Sequence, residues 1–282
     1  MNKKRGIQPR FFSLWTMIPT TNDILALFQG FAPFDLAEKW DNCGLQVGNP
    51  GAAVNKVVVA LDISMAAVNE AVSQGAQVLL THHPLFISAP RQIDFSKMPG
   101  SAIAVAAQNG VSLVAAHTNV DKAEDGLNDC FAEYVGLTNT TPFIEDAHAN
   151  AGIGRLGVLK DAVSVKEMAN ALKKCLQVDH VRVVGDLDQR VKKIAICTGS
   201  GGSLVREFLD SGADLYITGD IKYHEARDIE AQQKTLIDVG HFASEIIVVD
   251  FLARKIRENA MEAGYDLEVI GFKNEMDPFK WV

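Results

Sequence analysis

The sequence predicts an α/β protein of two similar domains from an internal duplication, each with a mostly parallel sheet flanked by helices. Three observations predict it. Apolar and β-branched runs at 56–61, 77–80 and 111–116 alternate with helical periodicity at 65–74 and 101–109, the rhythm of βαβ units and a parallel sheet. The rhythm then repeats. Val57-Val58-Val59-Ala60 aligns with Ile194-Ala195-Ile196-Cys197 at a spacing of 137. The same spacing sets Gln74-Gly75-Ala76 over Ser211-Gly212-Ala213, and Thr81-His82-His83 over Thr218-Gly219-Asp220. A spacing of 124 sets His117 on His241 and Asp121 on Glu245. Finally, four apolar runs end in polar coordinating residues: Leu79-Leu80-Thr81-His82-His83-Pro84, Ala115-Ala116-His117, Ile217-Thr218-Gly219-Asp220 and Asp238-Val239-Gly240-His241.

In chain order, Thr20 or Thr21 caps a helix through Ile24, Leu25, Leu27 and Phe28, which Gly30 and Pro33 end. Residues 37–40 lead into a loop at 41–45. The first βαβαβ run follows. A helix at 126–134, a loop at 138–141 before Pro142, a strand at about 155–159, a helix at 165–175 and a strand at 181–184 come next. The second run comprises strand 193–197, glycine-rich turn 198–202, helix 203–210, strand 214–217, helix 224–232 and strand 235–239. A helix at about 243–260 and a strand at 267–270 close the chain. The predicted division is a disordered leader at 1–19, domain I at 20–125 completed by 235–282, and domain II at 126–234.

With 282 residues, 48% of them hydrophobic, the chain can bury one large core or two smaller ones. A net charge of −8 argues against nucleic acid as a partner, because phosphates repel such a surface. Cys43, Cys130, Cys175 and Cys197 are widely spaced without a CxxC pair, which fits reduced thiols of a cytoplasmic protein. No apolar run reaches the roughly 20 residues a bilayer requires. The basic stretch 1–10 and the apolar patch 11–15 are too brief for a signal peptide. They read as an unstructured arm; the alternatives are a transit peptide, since no acidic residue precedes Asp23, and Met17 as the natural start.

The chemistry lies at the strand ends, where open parallel sheets bind ligands. Histidine and carboxylate ligate zinc, iron or manganese. Adjacent histidines on extended backbone point to opposite sides, so His82 and His83 serve different ions. His241 and Glu245 stand four apart at a helix start and face the same way. Glu245, with two oxygens, can bridge two divalent metal ions, and Asp121 adds a further ligand. The predicted metal set is therefore His82, His83, Asp121, His241 and Glu245. His117 is expected to orient a ligand or act in catalysis, with Asp220 or His224 as proton shuttle. His148 and His180 read as ordinary hydrogen-bonded residues. Gly152-Ile153-Gly154-Arg155-Leu156-Gly157 matches GxGxxG but precedes a strand, so it is rejected as a nucleotide site. The turn Thr198-Gly199-Ser200-Gly201-Gly202 could cradle an anion on its N–H groups.

The order Trp40-Asp41-Asn42-Cys43-Gly44-Leu45, Thr81-His82-His83-Pro84, His117-Thr118-Asn119-Val120-Asp121 and Gly240 to Glu245 resembles the dinuclear-metal-centre family, the type 2 GTP cyclohydrolase I homologues or Ngg-interacting-factor-three-like proteins. The resemblance runs from about residue 20 to the C-terminus. It implies two similar α/β domains, a toroidal homohexamer, and metal ligands at His82, His83, Asp121, His241 and Glu245. The large domain that long members insert between Asp121 and Lys193 is missing here. The expected function is a cytoplasmic dinuclear metal-dependent hydrolase. With GTP as substrate, metal-activated water would attack guanine C8. The alternatives are a non-catalytic metal-binding hexameric assembly or regulatory protein, and a metal-dependent phosphatase or phosphodiesterase.

Overall fold

The computed structural model describes residues 17–148, 150–280 and 282. Residues 1–16, most of the expected leader, lie outside them. Residues 17–19 are part of the fold rather than of a loose arm. Met17 pairs with Tyr265, and the Pro19 carbonyl accepts the Val54 N–H.

The first sheet contains β1 (Gly44–Val47), β2 (Lys56–Ala60), β3 (Val78–Thr81), β4 (Ser112–Ala115) and β11 (Glu268–Gly271), in the order β1-β4-β3-β2-β11. All neighbours are parallel except the edge pair β1 and β4. The second contains β5 (Thr138–Glu145), β6 (Gly152–Ser164), β7 (Arg182–Val184), β8 (Arg190–Ser200), β9 (Leu215–Gly219) and β10 (Thr235–Asp238), in the order β5-β6-β8-β9-β10-β7. Here only β8, β9 and β10 run parallel; β5, β6 and β7 pair antiparallel. The shared part of the two domains is thus a three-strand parallel unit, β2-β3-β4 in one and β8-β9-β10 in the other.

Each sheet is buried on both faces, which is why its central strands read as continuous apolar runs. Along β2, Val57 and Val59 face helices α1 (Thr21–Ala26) and α10 (Val248–Glu262), while Val58 and Ala60 face α2 (Met65–Ser73) and α3 (Gly100–Gln108). Along β8, Ile194 and Ile196 pack on α5 (Leu127–Val135) and α6 (Val165–Cys175). Its other face, Ala195 and Cys197, meets α7 (Val205–Asp210) and α8 (Tyr223–Ala231). Capping boxes start α1, through Thr20 and Asp23, and α6, through Ser164 and Glu167.

Three boundaries differ from expectation. Residues 138–141 are strand, not loop. β5 is an edge strand, where Pro142 can sit without robbing a second neighbour of a hydrogen bond. The expected helix at 243–260 is two helices, α9 (His241–Glu245) and α10. And β10 belongs to the second sheet, so the chain returns to the first after 238, not at 235. The run 152–157 lies within β6, consistent with rejecting it as a nucleotide loop.

Candidate metal centre

The carboxyl ends of β3, β4, β9 and β10 converge. The backbone beyond β3 stays in the ladder, with His82 N–H on Ala60 O and His83 N–H on Leu61 O. His82 is therefore turned into the protein and fully buried, while His83 is partly exposed. His117 stands two residues past the end of β4 and precedes the short helix α4 (Thr118–Lys122), which carries Asp121. On the other side His241 opens α9 and Glu245 ends it, so the pair shares one helix face. The two halves of the duplication thus present the same device, a histidine and a carboxylate four residues on, from opposite sides. Their rings meet: His82 lies 5.1 Å from both His83 and His117, and His83 lies 5.4 Å from His241.

Glu245 is at the middle. Its Oε2 is 2.9 Å from His83 Nε2 and 2.9 Å from His241 Nε2, and its Oε1 is 3.9 Å from His82 Nε2. His82 Nδ1 donates to the Ala116 carbonyl at 2.9 Å. A carbonyl can only accept, so that nitrogen holds the proton of the neutral ring and Nε2 carries a lone pair. Burial, the largest influence, keeps His82 neutral by holding it down to about 3. The lone pair faces Asp121 Oδ1 at 3.5 Å, and both atoms are buried without a hydrogen-bond partner. Two buried acceptors facing each other are what a cation between them would resolve. Burial also raises the Asp121 carboxyl to about 7. Ligand atoms of His82, His83 and His117 lie within 4.8 Å of one another, as do those of His83, His241 and Glu245. The site therefore contains groups able to hold a metal ion, with nitrogen and oxygen donors. Burial pushes the neighbouring Cys43 thiol up to about 12, far from a thiolate ligand.

The other nitrogens are held by carboxylates. His83 Nδ1 meets Asp62 at 2.8 Å, His241 Nδ1 meets Asp220 at 2.7 Å, and His117 Nδ1 meets Asp41 at 3.0 Å. Metal-binding histidines are commonly oriented in this way. Burial opposes charge on His83, but its bonds to Asp62 and Glu245 prevail and raise it to about 10. The Glu245 hydrogen bond raises His241 to about 9. Burial would raise Glu245, yet the two imidazoles hold it well below the usual carboxylate range.

Asp220, expected as a proton shuttle, is engaged as the partner of His241. His224 is not gathered in; it is exposed on α8, with its ring against Tyr223 at 5.5 Å. The sequence reading missed Asp62 and Asp41 as orienting groups. Asp62 lies just past β2 and carried the same strand-end signal as the histidines. Asp41 sits inside the quoted Trp40 to Leu45 motif. The anion cradle at 198–202 does not form. Thr198 N–H donates to Asn128 Oδ1, Gly199 N–H to Ser244 Oγ, and Gly201 N–H to Gly219 O. What the stretch provides instead is close approach. A Cβ on Gly199 would lie 2.1 Å from Glu245 Oε1, and φ there is +64°.

Fold and cluster together define a protein of two α/β domains with a histidine–carboxylate centre between the duplicated strand ends. The chain belongs to the Duf34/NIF3 (NGG1p interacting factor 3) family, whose profile matches residues 19–278. A Clostridium perfringens relative, a "GTP cyclohydrolase 1 type 2 homolog", is 36% identical over 93% of this chain and 99% of its own length. One of the same description from Clostridium acetobutylicum is 31% identical over 92% of this chain and 97% of its own. Among solved structures, a hypothetical protein of Staphylococcus aureus superposes with a TM-score of 0.89 at 26% identity, covering 94% of this chain and all of that one. Reduced HcgD from Methanocaldococcus jannaschii gives a TM-score of 0.76 at 30% identity, covering 90% of this chain and 98% of its own.

Proposed function

We propose that the chain is a dinuclear metal-dependent hydrolase acting on a nucleotide of the GTP type. The observation that carries this reading is Glu245, whose two oxygens face different imidazole sets across the duplication. His82, Asp121 and Oε1 would hold one divalent ion, and His83, His241 and Oε2 the other. Zinc, iron or manganese suits such donors. Ions bound there would supply a water of lowered pKa and polarise the bond under attack.

The chain's own groups do the rest. Asp62 and Asp220 fix the rings of His83 and His241 so that both Nε2 atoms point at Glu245. Asp41 fixes His117 through Nδ1, with Thr118 N–H and Oγ1 steadying the same carboxylate. That leaves Nε2 of His117 to hold or pass a proton at the mouth of the cluster. With GTP bound, a water oxygen adds to guanine C8, the C8–N bond breaks to leave a formamide, and His117 gives its proton to the departing ring nitrogen and regains one from the attacking water. The naming of the curated relatives supports this substrate. The reading includes a homohexamer working in the cytoplasm, which light scattering and fractionation would check.

The test is elemental analysis together with turnover by metal-loaded wild type and a His82→Ala/Glu245→Ala variant. Substrates are GTP, phosphodiesters and phosphomonoesters. The expected result is metal in the wild type alone and a ring-opened product that disappears in the variant. Release of phosphate only would replace the cyclohydrolase by a phosphatase or phosphodiesterase. Metal binding without turnover of any substrate would overturn the hydrolase in favour of a metal-binding assembly.

A further inference from the structure

Trp40 is 57% exposed, although residues on both sides of it are tied to the site by hydrogen bonds. Its indole meets the His117 ring edge-on at 6.0 Å between centroids, and His117 in turn lies 5.1 Å from His82 and 5.5 Å from His83. The loop that carries it is fastened on both sides. Before it, Glu38 N–H donates to Thr118 Oγ1 at 2.9 Å and the Glu38 carboxylate pairs with Lys122 at 3.1 Å. After it, Asp41 holds His117, and Asn42 Nδ2 donates to Phe86 O at 2.7 Å. The backbone is therefore fixed to the site while the ring is left in solvent. A rigid, uncovered indole one ring away from the histidine cluster forgoes the burial that usually rewards a tryptophan. It is, however, well placed to offer a flat face to a flat ligand.

We infer that Trp40 is a stacking platform that binds the heteroaromatic ring of the substrate and sets its reacting edge toward His117 and the metal ligands. This rests on the hydrolase reading for its catalytic consequence, but not for binding itself. The ligand class is a planar heteroaromatic base, for which guanine is the probe, since stacking tolerates any base with a π-face and requires no hydrogen-bond code. Sugar and phosphate alone would not engage it.

The chain has three tryptophans, so Trp15→Phe/Trp281→Phe leaves Trp40 as the sole reporter. The zinc-loaded protein is titrated with guanosine, GTP and ribose 5-phosphate while indole emission and its quenching by acrylamide are followed. Guanosine and GTP are expected to quench the emission and shield it from acrylamide, and ribose 5-phosphate to do neither. In the otherwise native chain, Trp40→Ala should weaken GTP binding about ten- to a hundredfold, appearing in KM more than in kcat. Trp40→Phe should restore most of it, with metal content equal throughout. Emission blind to guanosine, or Trp40→Ala binding GTP like wild type, overturns the platform, even if turnover persists and the hydrolase stands. Guanosine binding that depends on Trp40 without any turnover supports the platform and removes the hydrolase.

Discussion

At the scale of single residues, the tuning of the site lies in the carboxylates behind the histidines. Asp220 presents a negative charge to His241 Nδ1 at 2.7 Å, which fixes the ring and makes Nε2 a better donor to a metal. Asp220→Asn keeps an acceptor of the same shape and removes the charge. Metal affinity should fall about 10- to 100-fold, read by competition with a chelator, with little change in melting temperature because Asp220 is exposed. An unchanged affinity would mean the contact is incidental. Asp62 plays the same part for His83, and the two together show what was legible in the sequence and what was not. The histidines were legible because each terminates an apolar run, a local pattern. Asp62 also terminates one, but its partner is chosen by the pairing of β2 with β3, and no local pattern names a neighbouring strand. His224 shows the mirror case. It follows a strand end closely in sequence, but as the second residue of α8 its ring is exposed against Tyr223.

At the scale of elements, the glycine-rich end of β8 is what lets the two halves close on each other. Gly199 approaches Glu245 so closely that any side chain there must displace the carboxylate, and its positive φ adds strain. Gly199→Ala should therefore abolish or sharply weaken metal binding while the sheet still forms. Full metal occupancy in that variant would refute the close approach. Asn128 of α5 does complementary work, accepting Thr198 N–H through Oδ1 and donating through Nδ2 to Asp121 O. It is fully buried, so Asn128→Ala leaves groups on both halves without partners at a cost of about 1–3 kcal/mol in each case. A lowered denaturation midpoint combined with weaker metal retention is the expected pair of changes. The composition of this stretch had suggested an anion cradle. Glycine reports that a backbone must come close to something, but the something is fixed only by tertiary packing. The same limit hid β5, where Thr and Pro read as loop until an edge position supplied the ladder.

At the scale of the whole molecule, the duplication brings imidazoles from the strand ends of both sheets onto one carboxylate, and that would make metal binding a proton exchange. Without metal, His83 and His241 are raised to about 10 and about 9 by their carboxylate partners, so both are charged at neutral pH. A folded-state pKa above the unfolded value stabilises fully below about 6.5, and the stabilisation is lost as pH rises through 9 to 10. His82 has the opposite sign. Held down to about 3, it favours the fold above about 6.5 and weakens it as pH falls toward 3. Asp121, raised to about 7, stabilises fully below about 4 and has lost that contribution by neutrality, so it acts on the acid side only. The metal-free protein should therefore melt at its highest temperature near neutrality and lose stability on both sides. A divalent ion bound there would take the Nε2 positions that the protons occupy, so at pH 7.5 its binding should release roughly two protons. Calorimetry of zinc binding in buffers of different ionisation enthalpy measures that number, and the affinity should rise with pH up to about 10, where His83, the later of the two imidazoles, loses its proton. Binding that releases no proton, with an affinity flat between pH 6 and 9, would mean that the ion does not enter between these two imidazoles. The carboxylate between the strand ends of the two sheets would then be a salt bridge and nothing more.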